Sequence, residues 1–407
     1  MKVVIIGAGF GGMAAAIWLA EAGHEIELYE QAPQIRASGN GVLLLPNGTG
    51  LLRELGVDLD GLGARMDSVD GLFRDGSRAI RVKLSKIAQR HGAPVLVGSR
   101  GRVAQRLAAR LPEGALRVNM RCTGIEYTED GPVAVSFADG TETKADLVIG
   151  ADGQRSVVRT ALFGEDPAVY LGDATWHGIT RLPGAFAEGH AVHSVFGDEG
   201  ICVMHPVGDG EVYWAFELPF SDGDVLPPGA PGDTGSLTGE GSAVANLRAR
   251  FGSWTAPGLP ELLAAMRDED VSVFPHIIHR ELTQWGKGAV TLVGDAAHVV
   301  PPRVGMGLSQ ALEDAWVLSR AVAGSDDVVA RIRAYEQARI RRVRGMQKAA
   351  RMLGRKTVPM PPWLLRRVGK LLPVTKFNEA QVRNSSNYLN NDLAEPADLV
   401  TVAEGRR

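Results

Sequence analysis

Lys2-Val-Val-Ile-Ile6-Gly7-Ala-Gly9-Phe10-Gly11-Gly12-Met-Ala-Ala-Ala-Ile17 decides the fold: a β-branched run, a G-x-G-x-x-G turn and an alanine-rich helix. Gly7 permits a tight strand-to-helix turn, Gly9 lets backbone approach a pyrophosphate, and Gly12 allows close helix–strand packing. Phosphates then sit at the helix N-terminus, where unpaired N–H groups and the macrodipole favour negative charge. About twenty residues on, Glu25-Ile-Glu-Leu-Tyr29 ends at Glu30, an acid placed to accept hydrogen bonds from a ribose diol. This is the βαβ start of a Rossmann-like nucleotide-binding domain, and by itself it does not separate NAD from FAD.

The same stretch could be misread as a targeting segment, because no charged residue occurs from Val3 to Ala20. A spanning helix needs about 20 apolar residues, and a secretory signal needs a small-residue cleavage site after its apolar core. Here glycines interrupt the centre and strand-like alternation resumes at Glu25. The whole chain has 407 residues, long enough for two or three domains at about 150 residues each. A net charge of −3 gives no electrostatic case for nucleic acid. Cys122 and Cys202 are the only cysteines, so neither a disulfide framework nor a thiolate metal cluster is available. The nine histidines show no metal-ligand spacing. These features point to a cytoplasmic enzyme without a metal.

Further along, a helix ends near Leu55-Gly56, and Val69 to Val82 reads as short strands joined by an Asp75-Gly76 turn. Arg100 to Leu111 is a helix with Val103, Leu107 and Leu111 at helical spacing. Three strands follow at 118–127, 133–137 and Ala145–Ile149, with turns at Asp130-Gly131 and Asp139-Gly140. Alternating apolar segments between about Gly172 and Val273, around the turn Gly208-Asp209-Gly210, predict a mainly antiparallel sheet. Residues 221–241, rich in Gly, Pro, Asp and Ser, read as a mobile loop.

Two more motifs complete the reading. Asp146-Leu-Val-Ile-Gly-Ala-Asp152-Gly153 ends a strand, with Arg155 and Arg159 downstream. Gly294-Asp295-Ala-Ala-His298 follows the strand Ala289–Val293, and Pro302, Gly305, Met306 and Gly307 then lead into a helix carrying Leu312, Ala315, Trp316 and Ser319. The fingerprint, the Asp-Gly pair and the Gly-Asp segment, in this order, resemble the FAD-dependent aromatic hydroxylases, the single-component class A flavoprotein monooxygenases related to p-hydroxybenzoate hydroxylase. The resemblance spans about residues 1–345 and is weakest in the sheet.

It implies an α/β fold: a Rossmann-like FAD-binding domain, an inserted mainly antiparallel β-sheet substrate domain and a C-terminal helical extension. The corresponding boundaries are 1–70, 99–171 and 274–325 for the FAD-binding domain, 71–98 and 172–273 for the substrate domain, and 326–407 for the helical region. It further implies that Asp152 lies beside the pyrophosphate with Arg159 adding positive charge, that Asp295 bonds the ribityl hydroxyls, and that Arg100 and Arg36 touch FAD. The helix after Gly307 would aim its N-terminus at the flavin ring. Such a dipole is worth about 0.3 to 2 kcal/mol, up to roughly 40 mV for a two-electron couple. The cofactor set is thus Gly7, Gly9, Phe10, Gly11, Gly12, Glu30, Arg36, Arg100, Asp152, Asp295, Pro302, Gly305, Met306 and Gly307.

Many relatives have GQG where this chain has Gly305-Met306-Gly307, and Asn where Ser309 stands, which puts ring or substrate positioning in question. A second G-x-G-x-x-G, a CxxC beside the first strand and the GWxWxIP pattern of flavin halogenases are all absent. What the resemblance implies is non-covalent FAD, NADH or NADPH as a transient reductant, and dioxygen, hydroxylating an aromatic or polycyclic small molecule through a flavin C4a-hydroperoxide. An epoxidase acting on an alkene, or a flavoprotein that does not hydroxylate, remain the alternatives. No catalytic side chain is assigned. Trp176, His177, His193, Met204, His205, Tyr213 and Trp214 lie in the covering sheet, and alternation puts half of them on the wrong face. His205, before Pro206, and Met306 are the candidates for substrate contact, His205 to hydrogen-bond or deprotonate a phenol. The basic run Arg331–Lys356 and the segment Trp363–Leu372 read as helices packed on their own domain with arginines in water, rather than on a membrane.

Overall fold

In a computed structural model, residues 1–35, 40–128, 131–219, 242–302, 305–323, 327–352 and 362–392 are described. Arg36, Asp130 and the expected loop at 221–241 lie outside them. A five-stranded parallel sheet runs in the order Val290–Leu292, Leu147–Gly150, Lys2–Ile6, Glu25–Tyr29, Leu116–Arg117. Val3, Val4 and Ile5 are fully buried, as a central parallel strand covered on both faces requires. The helix Phe10–Glu21 is buried from Gly11 through Leu19, packed between this sheet and the helix Gly307–Val322. Its uniformly apolar sequence follows from that position.

The strand expected at Ala145–Ile149 is two strands. Glu142–Ala145 belongs to an antiparallel ladder with Val133–Phe137, whereas Leu147–Gly150 lies parallel to Lys2–Ile6. The chain changes sheet at Asp146, whose Oδ2 accepts from the Lys2 backbone N at 2.7 Å and whose own N donates to the Lys2 carbonyl at 3.0 Å. The pairing Ile6↔Gly150 delivers Ala151 and Asp152 beside Gly7. Two motifs distant in sequence therefore meet at the C-terminal ends of two adjacent strands.

A seven-stranded sheet follows the order Ser272–Ile278, Val169–Arg181, Glu211–Pro219, Gly200–Gly208, Ala191–Gly197, Ser68–Phe73, Arg78–Lys83. Every pairing is antiparallel except Ala191–Gly197 with Ser68–Phe73. One face carries Trp176, Met204, Trp214 and Phe216, all fully buried against the helices Ala243–Phe251 and Leu259–Ala265. The opposite face carries Ile179, Val203 and Tyr213, which pack on the core of the nucleotide domain. The C-terminal helices Val328–Met352, Pro362–Val368 and Val374–Asn384 close the molecule. Contrary to the expectation of solvated arginines, Arg339 is fully buried in an ion cluster. None of the described helices is long and apolar enough to cross a membrane.

Candidate cofactor and substrate site

Gly7 has φ +103°, and a Cβ there would lie 2.4 Å from the Ala151 carbonyl oxygen. A Cβ on Gly12 would lie 2.0 Å from the Gly7 carbonyl oxygen. Both glycines are thus demanded by the turn itself. Gly9 differs: its Cβ would meet only the Ala151 oxygen, at 3.9 Å, so no protein contact requires glycine there. Gly11 is buried with Ala311 and Val293 on the site of its missing side chain, and serves helix packing rather than the turn's open side. Glu30 accepts from the Ala8 N on one oxygen and the Ala32 N on the other, both at 2.9 Å. Each oxygen keeps a second acceptor position, and the side chain is half-buried.

Asp152 Oδ2 accepts from the Val157 and Val158 N–H groups at 2.7 and 3.2 Å, capping the helix Val157–Phe163. Its Oδ1 is buried without a partner among the described residues, and burial pushes the carboxyl up from its ordinary value against those hydrogen bonds. The expectation for Arg159 is corrected. Its Nε donates to Asp166 Oδ2 at 3.1 Å, and the remaining guanidinium nitrogens reach the Ala296, Ala297 and Arg280 carbonyls. Its charge is neutralised by Asp166, so it clamps the Asp-Gly loop to the Gly-Asp segment instead of facing a phosphate.

Asp295 is exposed, yet surrounding protein pushes its carboxyl up from the ordinary value against the charges of His298 and Arg100. Its open carboxyl, within reach of the Arg100 charge, marks the floor of the candidate cleft. Pro302 accepts from the Gly305 N at 2.9 Å, Gly305 has φ +60°, and Leu43 stands 3.6 Å from where its Cβ would be. Gly307 opens the 16-residue helix Gly307–Val322, and a Cβ there would meet nothing within 4 Å. Met306 does not face the cleft. Its side chain is buried with its sulfur 3.8 Å from Ser385 Oγ, so the candidate substrate contact is withdrawn. Ser309 is buried against Gly48, which explains why a small residue stands there.

The cleft's other wall is the seven-stranded sheet. The pairings His177↔Ala215, Ile179↔Tyr213 and His205↔Tyr213 put His177, Tyr213 and His205 on the face toward the nucleotide domain. Trp176, His193, Met204 and Trp214 occupy the opposite face. Tyr213 OH lies 3.5 Å from His177 Nδ1, and the His205 ring stands edge-on to Tyr213 with centroids 5.5 Å apart. Asn40 Nδ2 is 3.3 Å from His177 Nε2, and the Arg100 N donates to the Asn40 carbonyl at 2.8 Å. The Arg100 guanidinium is exposed and stacks over Phe10 at 5.2 Å. Burial pulls His177 down to about 4, aided by Arg100, and burial alone pulls His205 to about 4. Burial pushes Tyr213 up to about 12, with Arg100 opposing. Arg100 thus acts on both walls, at Asp295 and at the His177–Tyr213 pair.

His205 stands out in the sequence, whereas His177 and Tyr213 cannot be sorted without strand register. Asn40 carried no signal. Nor did Glu313, Asp314 and Arg339, which only tertiary packing brings together.

A model of the FAD binding domain family matches residues 1–199 and 264–350. An FAD-dependent urate hydroxylase of Klebsiella pneumoniae is 30% identical over 360 residues, 86% of this chain and 89% of its own length. A 6-hydroxynicotinate 3-monooxygenase of Bordetella bronchiseptica is 32% identical over 361 residues, 86% of this chain and 90% of its own. A crystal structure of a Klebsiella pneumoniae protein with FAD and uric acid superposes with a TM-score of 0.76 at 26% identity, covering 99% of this chain and 97% of that one.

Proposed function

The chain belongs to the FAD binding domain family of class A flavin-dependent aromatic hydroxylases, and we propose that it hydroxylates a phenolic or polycyclic aromatic compound held between Asp295 and the His177–Tyr213–His205 wall. The residues fit FAD. Gly9 leaves backbone bare where a pyrophosphate would approach, and Asp152 offers a buried oxygen without a partner among the described residues. Glu30 keeps acceptor capacity for a ribose, Asp295 presents an open carboxyl for ribityl hydroxyls, and Arg100 lies between the two walls. Bound there, FAD would supply hydride acceptance from NADH or NADPH and the activation of dioxygen. Attachment would be non-covalent. Cys122 and Cys202 are both buried, and burial pushes the first thiol up to about 11 and the second well above its ordinary value.

The protein's own part is orientation and exclusion of water. The N-terminus of the helix Gly307–Val322 would stabilise negative charge developing on the ring. On the opposite wall, a His205 pulled to about 4 is neutral at pH 7. Taking a proton outright from a phenol near pKa 10 would oppose about six pKa units, roughly 8 kcal/mol. Hydrogen bonding to the substrate hydroxyl is therefore the role that this wall favours. Tyr213, pushed up to about 12, stays protonated and can donate to it.

The observation that supports the reading is the register, by which His177, Tyr213 and His205 share the sheet face toward the nucleotide domain, with the Arg100 charge felt at His177, Tyr213 and Asp295. NAD(P)H oxidation by the purified yellow protein, followed over a panel of phenols and fused aromatics, tests it. Acceleration of at least about tenfold by one class, equivalent to about 1.4 kcal/mol of barrier, is expected. A rate indifferent to every aromatic would favour a flavoprotein that does not hydroxylate.

A further inference from the structure

The family model stops at residue 350, yet side chains beyond it are built into the support of the cleft floor. Asp314, fully buried in the helix Gly307–Val322, accepts on Oδ2 from the Gly294 N at 2.8 Å and from His298 Nε2 at 2.6 Å. These donors flank Asp295, one on each side. Its Oδ1 accepts from Arg339 Nε at 2.7 Å. Burial alone would push the Asp314 carboxyl up; the charges of His298 and Arg339 outweigh it and hold the carboxyl below its ordinary value.

Arg339 is itself fully buried and continues the chain of contacts. Its Nη1 donates to Glu313 Oε2 and to Asn387 Oδ1, each at 3.0 Å. Glu313 accepts in turn from the Asn387 N at 2.8 Å and from Asn47 Nδ2 at 2.9 Å. Two turns of helix nearer the cleft, Ser385 Oγ lies 3.8 Å from the Met306 sulfur at the helix N-cap. A cluster of this kind is a weak source of net stability, since well-packed apolar residues often serve as well. What it supplies is geometry: a single carboxylate oxygen holds both ends of the Asp295 turn against the helix aimed at the cleft.

We propose that Asp314 is a positioning residue for the cofactor, fixing the Asp295 carboxyl through the Gly294 N–H and the His298 ring. Arg339 and Asn387 anchor it from behind, which makes the C-terminal turn part of the cofactor site. The proposal rests on the reading that Asp295 meets FAD, and the test separates the two. FAD affinity of the apoprotein is titrated by flavin fluorescence for wild type, Asp314→Asn, Asp295→Ala and the double variant, with thermal midpoints recorded for each. Asp314→Asn should weaken FAD binding about tenfold in the wild-type background and less than about twofold when Asp295 is already Ala. Equal losses in both backgrounds would overturn the proposal, because a merely structural defect does not depend on Asp295. Asn387→Ala, expected to cost about threefold with the same dependence on Asp295, carries the cycle if Asp314→Asn fails to fold. An Asp295→Ala protein that binds FAD like wild type would remove the underlying reading of the turn, and the proposal with it.

Discussion

Replacing Gly9 with alanine separates cofactor binding from folding. Gly9 sits at φ −74°, ψ −177°, extended backbone that alanine adopts freely, and the new methyl would meet only the Ala151 oxygen at 3.9 Å. As the N-cap of the helix Phe10–Glu21, alanine is less favourable than glycine by up to about 1 kcal/mol. Its lower unfolded-state entropy offsets about 0.4 to 1 kcal/mol of that. The apoprotein should therefore unfold within about 1 kcal/mol of wild type. The methyl would, however, hold a pyrophosphate off the backbone. Losing one hydrogen bond to a charged phosphate costs about 1.5 to 3 kcal/mol, so FAD affinity should fall about 10- to 150-fold. Urea unfolding of the apoprotein and FAD titration read the two effects separately. A folded Gly9→Ala protein that binds FAD as tightly as wild type would refute the placement of the pyrophosphate over Gly9.

Tyr213→Phe removes a neutral donor from the cleft wall. It should leave FAD affinity unchanged and raise KM for a phenolic substrate about 2- to 12-fold, from about 0.5 to 1.5 kcal/mol; steady-state NAD(P)H oxidation decides, and an unchanged KM would take Tyr213 out of the pocket. Glu336, buried and accepting from Thr291 Oγ1 and the Trp285 N, has its carboxyl pushed up to about 7 from 4.5 by burial, with Arg333 opposing. A raised carboxyl contributes stability that is fully present below about 4.5 and lost as pH rises through about 7, roughly 3 kcal/mol in all. Glu336→Gln should therefore flatten the pH dependence of the thermal midpoint between pH 5 and 8 by a corresponding amount; parallel curves for the two proteins would show that Glu336 titrates normally.

The nucleotide domain was legible because its signals are local: a glycine turn, β-branched strands and an acid at fixed spacing. Gly7 and Gly12 stand where steric contact with Ala151 and Gly7 demands them. The split at Asp146 was not legible, since Ala145–Ile149 reads as one strand until two sheets compete for its residues. The pocket face of the large sheet needed register, which a one-residue slip inverts, so His177 and Tyr213 could not be separated from Trp176 and Trp214 by pattern alone. Arg159 and Arg339 show a different limit. An arginine's partner is a matter of tertiary geometry, and Asp166 and Asp314 lie where sequence spacing gives no hint of them.

The central claim is that oxygen enters an aromatic substrate from dioxygen. Turnover of the best substrate from the panel under ¹⁸O-labelled dioxygen, with the product analysed by mass spectrometry, tests it most directly. One labelled oxygen atom per product molecule, with one NAD(P)H consumed, is the expected result. Oxygen derived from water, or a dehydrogenated product accompanied by stoichiometric hydrogen peroxide, would contradict the account and make the protein an oxidase.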